Sequence, residues 1–264
     1  MVSEDTVNSS DDTQTFVLLG ASNLTIGWAA VVQSLLEISP GPVEVFAALG
    51  MGRSYIKRSR FAARELPGIV QSGIWQALPT SPPVAPQILI TDVGNDLVYG
   101  SELNEITDAI TLCIERFRNL YPACRISMTT LPMDSINGLV RWRFEVFRRI
   151  LFPGLRQDLA DIKTRSADLN NRLQKLATQH DLTIVQPIAQ WYGLDPIHIR
   201  RRDRRAAFAH IFQPFHGTQR SDSAAKQRPG FRLPPRAASS ALFGRERLQE
   251  QPCQTLGRLT VHAY

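Results

Sequence analysis

Five short apolar runs punctuate the chain between residues 15 and 188: 15–19 (TFVLL), 43–49 (VEVFAAL), 87–93 (QILITDV), 125–131 (RISMTTL) and 183–188 (TIVQPI). Near-continuous apolar character over five to seven residues suits strands covered on both faces, as in a parallel sheet. Parallel neighbours need crossover connections of a dozen residues or more, and the segments between the runs are long enough to supply them. Residues 24–36 place Leu24, Trp28, Val31, Val32, Leu35 and Leu36 at helical spacing before Pro40-Gly41-Pro42 stops the pattern. Residues 102–120 do the same with Leu103, Ile106, Ile110, Ile114 and Phe117, ending at Tyr121-Pro122. The alternation predicts a doubly wound α/β domain of about five strands, a class in which ligands bind just beyond the carboxyl ends of the strands.

Length and composition bound the rest. A chain of 264 residues with 43% hydrophobic content suits one domain plus tails. The polar, acidic segment 1–14 (MVSEDTVNSSDDTQ) has neither the basic nor the apolar region of a secretory signal. It is expected to be disordered. No run approaches the roughly 18 apolar residues of a membrane span. Three cysteines without ligand spacing argue against a disulfide framework or a zinc site, and a reducing, cytoplasmic setting is expected.

The net charge of +6 is unevenly spread. Residues 199–264 hold 13 Lys/Arg against 4 Asp/Glu, a net of +9, while residues 1–198 hold 17 against 20, a net of −3. The basic character therefore belongs to the end of the chain and says little about what the main domain binds. Residues 199–212 (IRRRDRRAAFAHIF) fit a final basic amphipathic helix. Pro, Gly, Ser, Gln and Arg dominate from residue 213, so 213–264 is expected to be a disordered tail, with the domain itself spanning 15–212. Between residues 134 and 181 there is no obvious strand, and two helices are expected, at 139–151 and 162–179, which fit a flap beside the strand ends or a plain insertion.

Four small motifs fall where strands should end: Gly20-Ala21-Ser22-Asn23, Leu49-Gly50-Met51-Gly52-Arg53-Ser54, Val93-Gly94-Asn95-Asp96, and Asp195-Pro196-Ile197-His198. Each is weak by itself. With 14 Asp and 5 His in the chain, a D-x-x-H is expected by chance roughly 0.27 times. Order and placement supply the specificity, because all four would converge on one rim of the sheet.

This ordered set resembles the SGNH hydrolases, or GDSL-type esterases and lipases, over residues 15 to about 212. GASN stands for their G-D-S-L, Gly52 for their second-block glycine, VGND for their G-x-N-D, and DPIH for their D-x-x-H. The resemblance implies a flavodoxin-like α/β/α sandwich with five parallel strands in the order 2-1-3-4-5. It also implies a serine-dependent acyl-ester hydrolase without a cofactor or metal. Ser22 would be the nucleophile, His198 its base, and Asp195 the carboxylate that orients the imidazole. The backbone N–H groups of Ser22 and Gly52 and the side-chain amide of Asn95 would receive the oxyanion, and the start of a helix at Ser22 would favour an anion there. Ala21 departs from the family Asp that helps hold the nucleophile loop, Asn23 from the usual Leu, and Val93 from a Gly.

Other readings stand beside these. Ser22 also fits a helix N-cap, and Gly50 and Gly52 also fit plain turn positions. Arg53 is a possible contact for an anionic substrate, while the remaining cations between 57 and 64 fit a solvated face at partly helical spacing. Met51, Tyr55, Trp142, Phe144, Trp191 and Tyr192 fit an acyl pocket or ordinary packing. The expected partner is a small-molecule, carbohydrate or lipid ester. An acyltransferase would use the same residues; a non-catalytic phosphate-binding protein would leave Asn95 and DPIH without a role. The Arg-rich end would support only weak, salt-sensitive nucleic-acid binding.

Overall fold

The computed structural model describes residues 12–151, 157–216 and 233–264. Strands run at β1 (Gln14–Leu19), β2 (Val43–Ala48), β3 (Ser59–Phe61), β4 (Arg64–Leu66), β5 (Gln87–Ile90), β6 (Arg125–Thr129), β7 (Thr183–Val185), β8 (Ser239–Leu242), β9 (Arg245–Leu248), β10 (Gln254–Leu256) and β11 (Leu259–Ala263). Helices run at α1 (Ser22–Ile26), α2 (Trp28–Ile38), α3 (Ile74–Ala77), α4 (Asn95–Val98), α5 (Leu103–Leu120), α6 (Met133–Asn137), α7 (Arg141–Leu151), α8 (Leu159–Gln179) and α9 (Arg204–Ile211).

Among the described residues the main sheet has seven strands, in the order β10-β11-β2-β1-β5-β6-β7. All its pairings are parallel except β10 with β11. The five expected strands lie side by side within it, and β10 and β11 extend the sheet beyond β2. Residues of β1 alternate between the two faces. Phe16 and Leu18 join Leu24, Trp28, Val31, Leu35 and Phe208 on one side, while Val17 and Leu19 join Ile106, Ile110, Phe117 and Leu169 on the other. Helices cover both faces, which is why the strand reads as an uninterrupted apolar run. Among the described residues, no helix is long and apolar enough to cross a membrane.

Three expectations are corrected. The helix expected over 24–36 is two helices broken at Gly27, where a Cβ would lie 2.2 Å from the Phe208 ring. Helix α9 packs against α2, and the glycine at the break lets the Phe208 ring, 181 residues along the chain, approach the backbone there. The cations at 57–64 do not follow a helix: β3 and β4 form an antiparallel hairpin there.

The third correction concerns 213–264. Residues 217–232 lie outside the described residues, but 233–264 carry β8–β11. β11 runs parallel to β2, with Leu259, Val261 and Ala263 buried, and β8 pairs with β4 to build a second, four-stranded sheet. These strands are only three to five residues long, β8 and β11 find their partners β4 and β2 far upstream, and the Pro- and Arg-rich composition around them conceals them. The basic run at 200–205 is likewise engaged within the fold: Arg200 bonds Asp203 and the Gln190 carbonyl, Arg204 bonds the carbonyls of Ile26 and Ile199, and Arg205 reaches Glu37.

Candidate active site

The four motifs occupy loops at the carboxyl ends of β1, β2 and β5 and the segment after β7. Ser22 is the first residue of α1 and is buried; the position before it, Ala21, makes no side-chain capping bond, so Ser22 is not an N-cap. Helix α1 is only five residues long, and Asp92 takes the N–H groups on either side of Ser22. The Asp92 carboxylate accepts from Ala21 N at 2.9 Å and Asn23 N at 3.0 Å through one oxygen, and from Asn23 Nδ2 at 2.8 Å through the other. Asn23 also donates Nδ2 to the carbonyl of Ile197 (2.9 Å) and accepts at Oδ1 from Ile199 N (2.9 Å). His198 sits between those two partners.

The His198 ring is bonded through Nδ1 to Asp195 Oδ2 at 2.5 Å, and Asp195 Oδ1 accepts from the N–H groups of Ile197 (3.0 Å) and His198 (3.1 Å). Burial pushes the Asp195 carboxyl up, but the bond from His198, its charge and the two backbone donors outweigh this and hold the group below the ordinary carboxylate range. Among the described residues no hydrogen bond joins Ser22 Oγ to His198.

The loops after β2 and β5 are joined more closely. Asn95, at the start of α4, donates Nδ2 to the carbonyl of Arg53 at 3.2 Å, and the Tyr99 hydroxyl donates to the carbonyl of Gly52 at 2.5 Å. Asp96 accepts from Ser54 Oγ and, at 2.9 Å, from Tyr55 N. Burial raises the Asp96 carboxyl despite these bonds. Tyr55 is fully buried and reaches the carbonyls of Leu19 (3.0 Å) and Thr91 (2.8 Å), tying the ends of β1 and β5 together.

Arg53, expected as a possible substrate contact, lies in the interior. Its side chain is fully buried and donates to the carbonyls of Pro67 (3.1 Å), Leu49 (3.2 Å) and Tyr264. The chain turns at Gly52 with φ +63° and sends the next side chain inward, where these carbonyls receive it. Burial, with Arg64 adding to it, pushes the guanidinium down to about 9.

A cavity of about 90 Å³ opens beside Ser22 and Asn95. Its walls are mostly apolar: Leu97, Leu131, Ile136, Leu139, Phe144, Ile162, Trp191, Tyr192, Phe208 and Ile211 are among them. Gly52, Asp195 and His198 are not. Of the aromatics with a possible pocket role, Phe144, Trp191 and Tyr192 line it, Tyr55 lies in the core, and Trp142 is 64% exposed. The 134–181 segment contributes Ile136, Leu139, Phe144, Ile162 and Ser166, so α6, α7 and α8 form one wall. Asp92 is the residue that sequence reasoning missed. Its one signal is a lone Asp inside the third apolar run, immediately before VGND.

No family model and no curated protein matches the sequence. Solved structures do match. One from Streptococcus pneumonia, assigned as a candidate platelet activating factor, is 13% identical over 80% of this chain and 87% of its own, with a TM-score of 0.51. The psychrotrophic esterase EstA from Pseudoalteromonas sp. is 10% identical over 75% and 94%, with a TM-score of 0.46. An extracellular lipase from Streptomyces rimosus is 12% identical over 76% and 99%, with a TM-score of 0.45. At 13% identity the likeness to the first of these is one of fold.

Proposed function

We propose that this chain, whose fold is that of the SGNH hydrolases, is a serine-dependent acyl-ester hydrolase with Ser22 as nucleophile. The observation that carries the reading is the Asp195–His198 pair, held by Asn23 against the loop that presents Ser22. In this reading Ser22 Oγ attacks the acyl carbonyl while His198 Nε2 takes its proton. Asp195 accepts from Nδ1–H, fixing the tautomer and stabilising the imidazolium. The oxyanion is received by the N–H groups of Ser22 and Gly52 and by Asn95 Nδ2, which has a second N–H beyond the one bonded to Arg53. The proton on His198 passes to the departing alcohol. Water, activated by the same imidazole, then adds to the acyl-enzyme and releases the acid.

The apolar cavity beside Ser22 supports an uncharged acyl group over an anionic one. Three unpaired cysteines, two of them buried, suit a cytoplasmic setting. The test is covalent labelling with a fluorophosphonate, comparing the parent with Ser22→Ala. Labelling of the parent at Ser22, absent in the variant, is the expected result; an unlabelled parent, or a variant labelled equally well, overturns the assignment.

A further inference from the structure

We infer that Asp92 and Asn23 act as one positioning unit that sets the separation of Ser22 and His198, an inference that rests on the serine hydrolase reading above. The geometry brackets both residues. Asp92 bonds the backbone on each side of Ser22, and Asn23 bonds the backbone on each side of His198. The Asp92–Asn23 contact at 2.8 Å joins the two brackets. A strand-end carboxylate from β5 thus holds the loop after β1, where Ala21 has no side-chain oxygen to do so.

Polarity makes the unit directional. An ionised carboxylate only accepts, so Asn23 must turn Nδ2 toward Asp92. Its second Nδ2 proton goes to the Ile197 carbonyl, which leaves Oδ1 for Ile199 N. Both amide protons and the carbonyl oxygen of Asn23 are therefore used, and no flipped orientation satisfies the same partners. Asp92 adopts φ +59°, a conformation uncommon for a residue with a side chain, and its three bonds to the β1 loop hold it there. Neither residue takes or gives a proton in the proposed reaction, so both are positioning residues and not catalytic ones.

The test uses the full chain with Asn23→Leu, Asn23→Ala and Asp92→Asn. Fluorophosphonate labelling rates and p-nitrophenyl butyrate kinetics are measured well below each variant's melting temperature. A displacement of the order of 1 Å between reacting groups costs about 10²-fold. Labelling and kcat are expected to fall about 10- to 100-fold, with KM within about twofold of the parent, and the double variant Asn23→Ala with Asp92→Asn should be little worse than either alone. A purely structural role would lower the melting temperature and leave kcat at the parent value, which overturns the inference. Asp92→Asn keeps the shape of the side chain and carries the test if Asn23→Ala does not fold. A parent that labels at Ser22 with variants labelled at the same rate overturns this inference alone; a parent that does not label overturns the hydrolase reading and this inference with it.

Discussion

Gly52 stands at φ +63°, and a Cβ there would lie 2.7 Å from the Tyr99 hydroxyl, the group that donates to the Gly52 carbonyl. A side chain therefore meets both an unfavourable backbone conformation and a displaced hydrogen bond. Gly52→Ala is expected to destabilise the fold by about 1–2 kcal/mol and, by shifting an oxyanion donor, to lower kcat about 10²- to 10³-fold. Urea unfolding and ester turnover read the two effects separately. Asp96 gives a pH signature of opposite sign to the common carboxylate. Because burial raises its folded value above the ordinary 3.8, the folded state holds the proton more tightly. The Asp96 contribution is then fully present below that ordinary value and is lost as pH rises through the raised one. The stability difference between the parent and Asp96→Asn should thus move in the parent's favour as pH falls from neutral toward 4, as read by urea midpoints; movement in the opposite direction would show that Ser54 and Tyr55 dominate. The placement of Ser22 and Asn95 was legible because each sits in a short motif just after a strand, and the Asp195–His198 contact because a spacing of three permits it. Asp92 and the burial of Arg53 were not, because the first is defined by bonds to a loop 69–71 residues away and the second by carbonyls from three separate segments.

Helices α7 and α8 were legible as helical stretches, but α6 and the side to which all three turn were not. Leu139, Phe144 and Ile162 form a small apolar cluster of their own and present it to the cavity beside Ser22. Ser166 lies on the same wall, on α8, and is 2% exposed. Filling that position shortens the space available to an acyl chain without touching the proposed catalytic groups. Ser166→Leu is expected to cost about 1–3 kcal/mol of stability from overpacking. It should lower kcat/KM for p-nitrophenyl hexanoate at least about 10-fold relative to p-nitrophenyl acetate, since one or two methylenes are worth about that much in a hydrophobic pocket. Equal losses on both esters would mean that the acyl group lies elsewhere. The break between α1 and α2 shows the converse limit: periodicity specifies a helix, but the Phe208 ring that leaves no room for a side chain at Gly27 belongs to α9, far along the chain.

The C-terminal segment decides how the molecule closes. β11 covers the edge of β2, burying Leu259 and Val261, and β8 and β9 add to the β3–β4 hairpin. Tyr264 ties this segment to the site at two points, donating its N–H to Ala47 at 2.9 Å and receiving the buried Arg53 guanidinium at its carbonyl. Composition argued for disorder here because a Pro-, Gln- and Arg-rich stretch lacks enough apolar surface for a core of its own. It needs none, since it docks on a core built by the rest of the chain. Removing residues 233–264 exposes the β2 edge and forfeits about 1.5–3 kcal/mol for each of the two buried aliphatic side chains. It also leaves a buried guanidinium short of one of its carbonyl acceptors. Those losses are comparable with the roughly 5–15 kcal/mol that holds a typical domain together. A chain ending at residue 232 is therefore expected to lose its cooperative thermal transition or to melt at least about 10 °C lower, with dye-accessible apolar surface, when followed by circular dichroism and fluorescence. An unchanged melting temperature would mean that the seven-stranded sheet does not depend on its last two strands, and that Arg53 is adequately held by Leu49 and Pro67 alone.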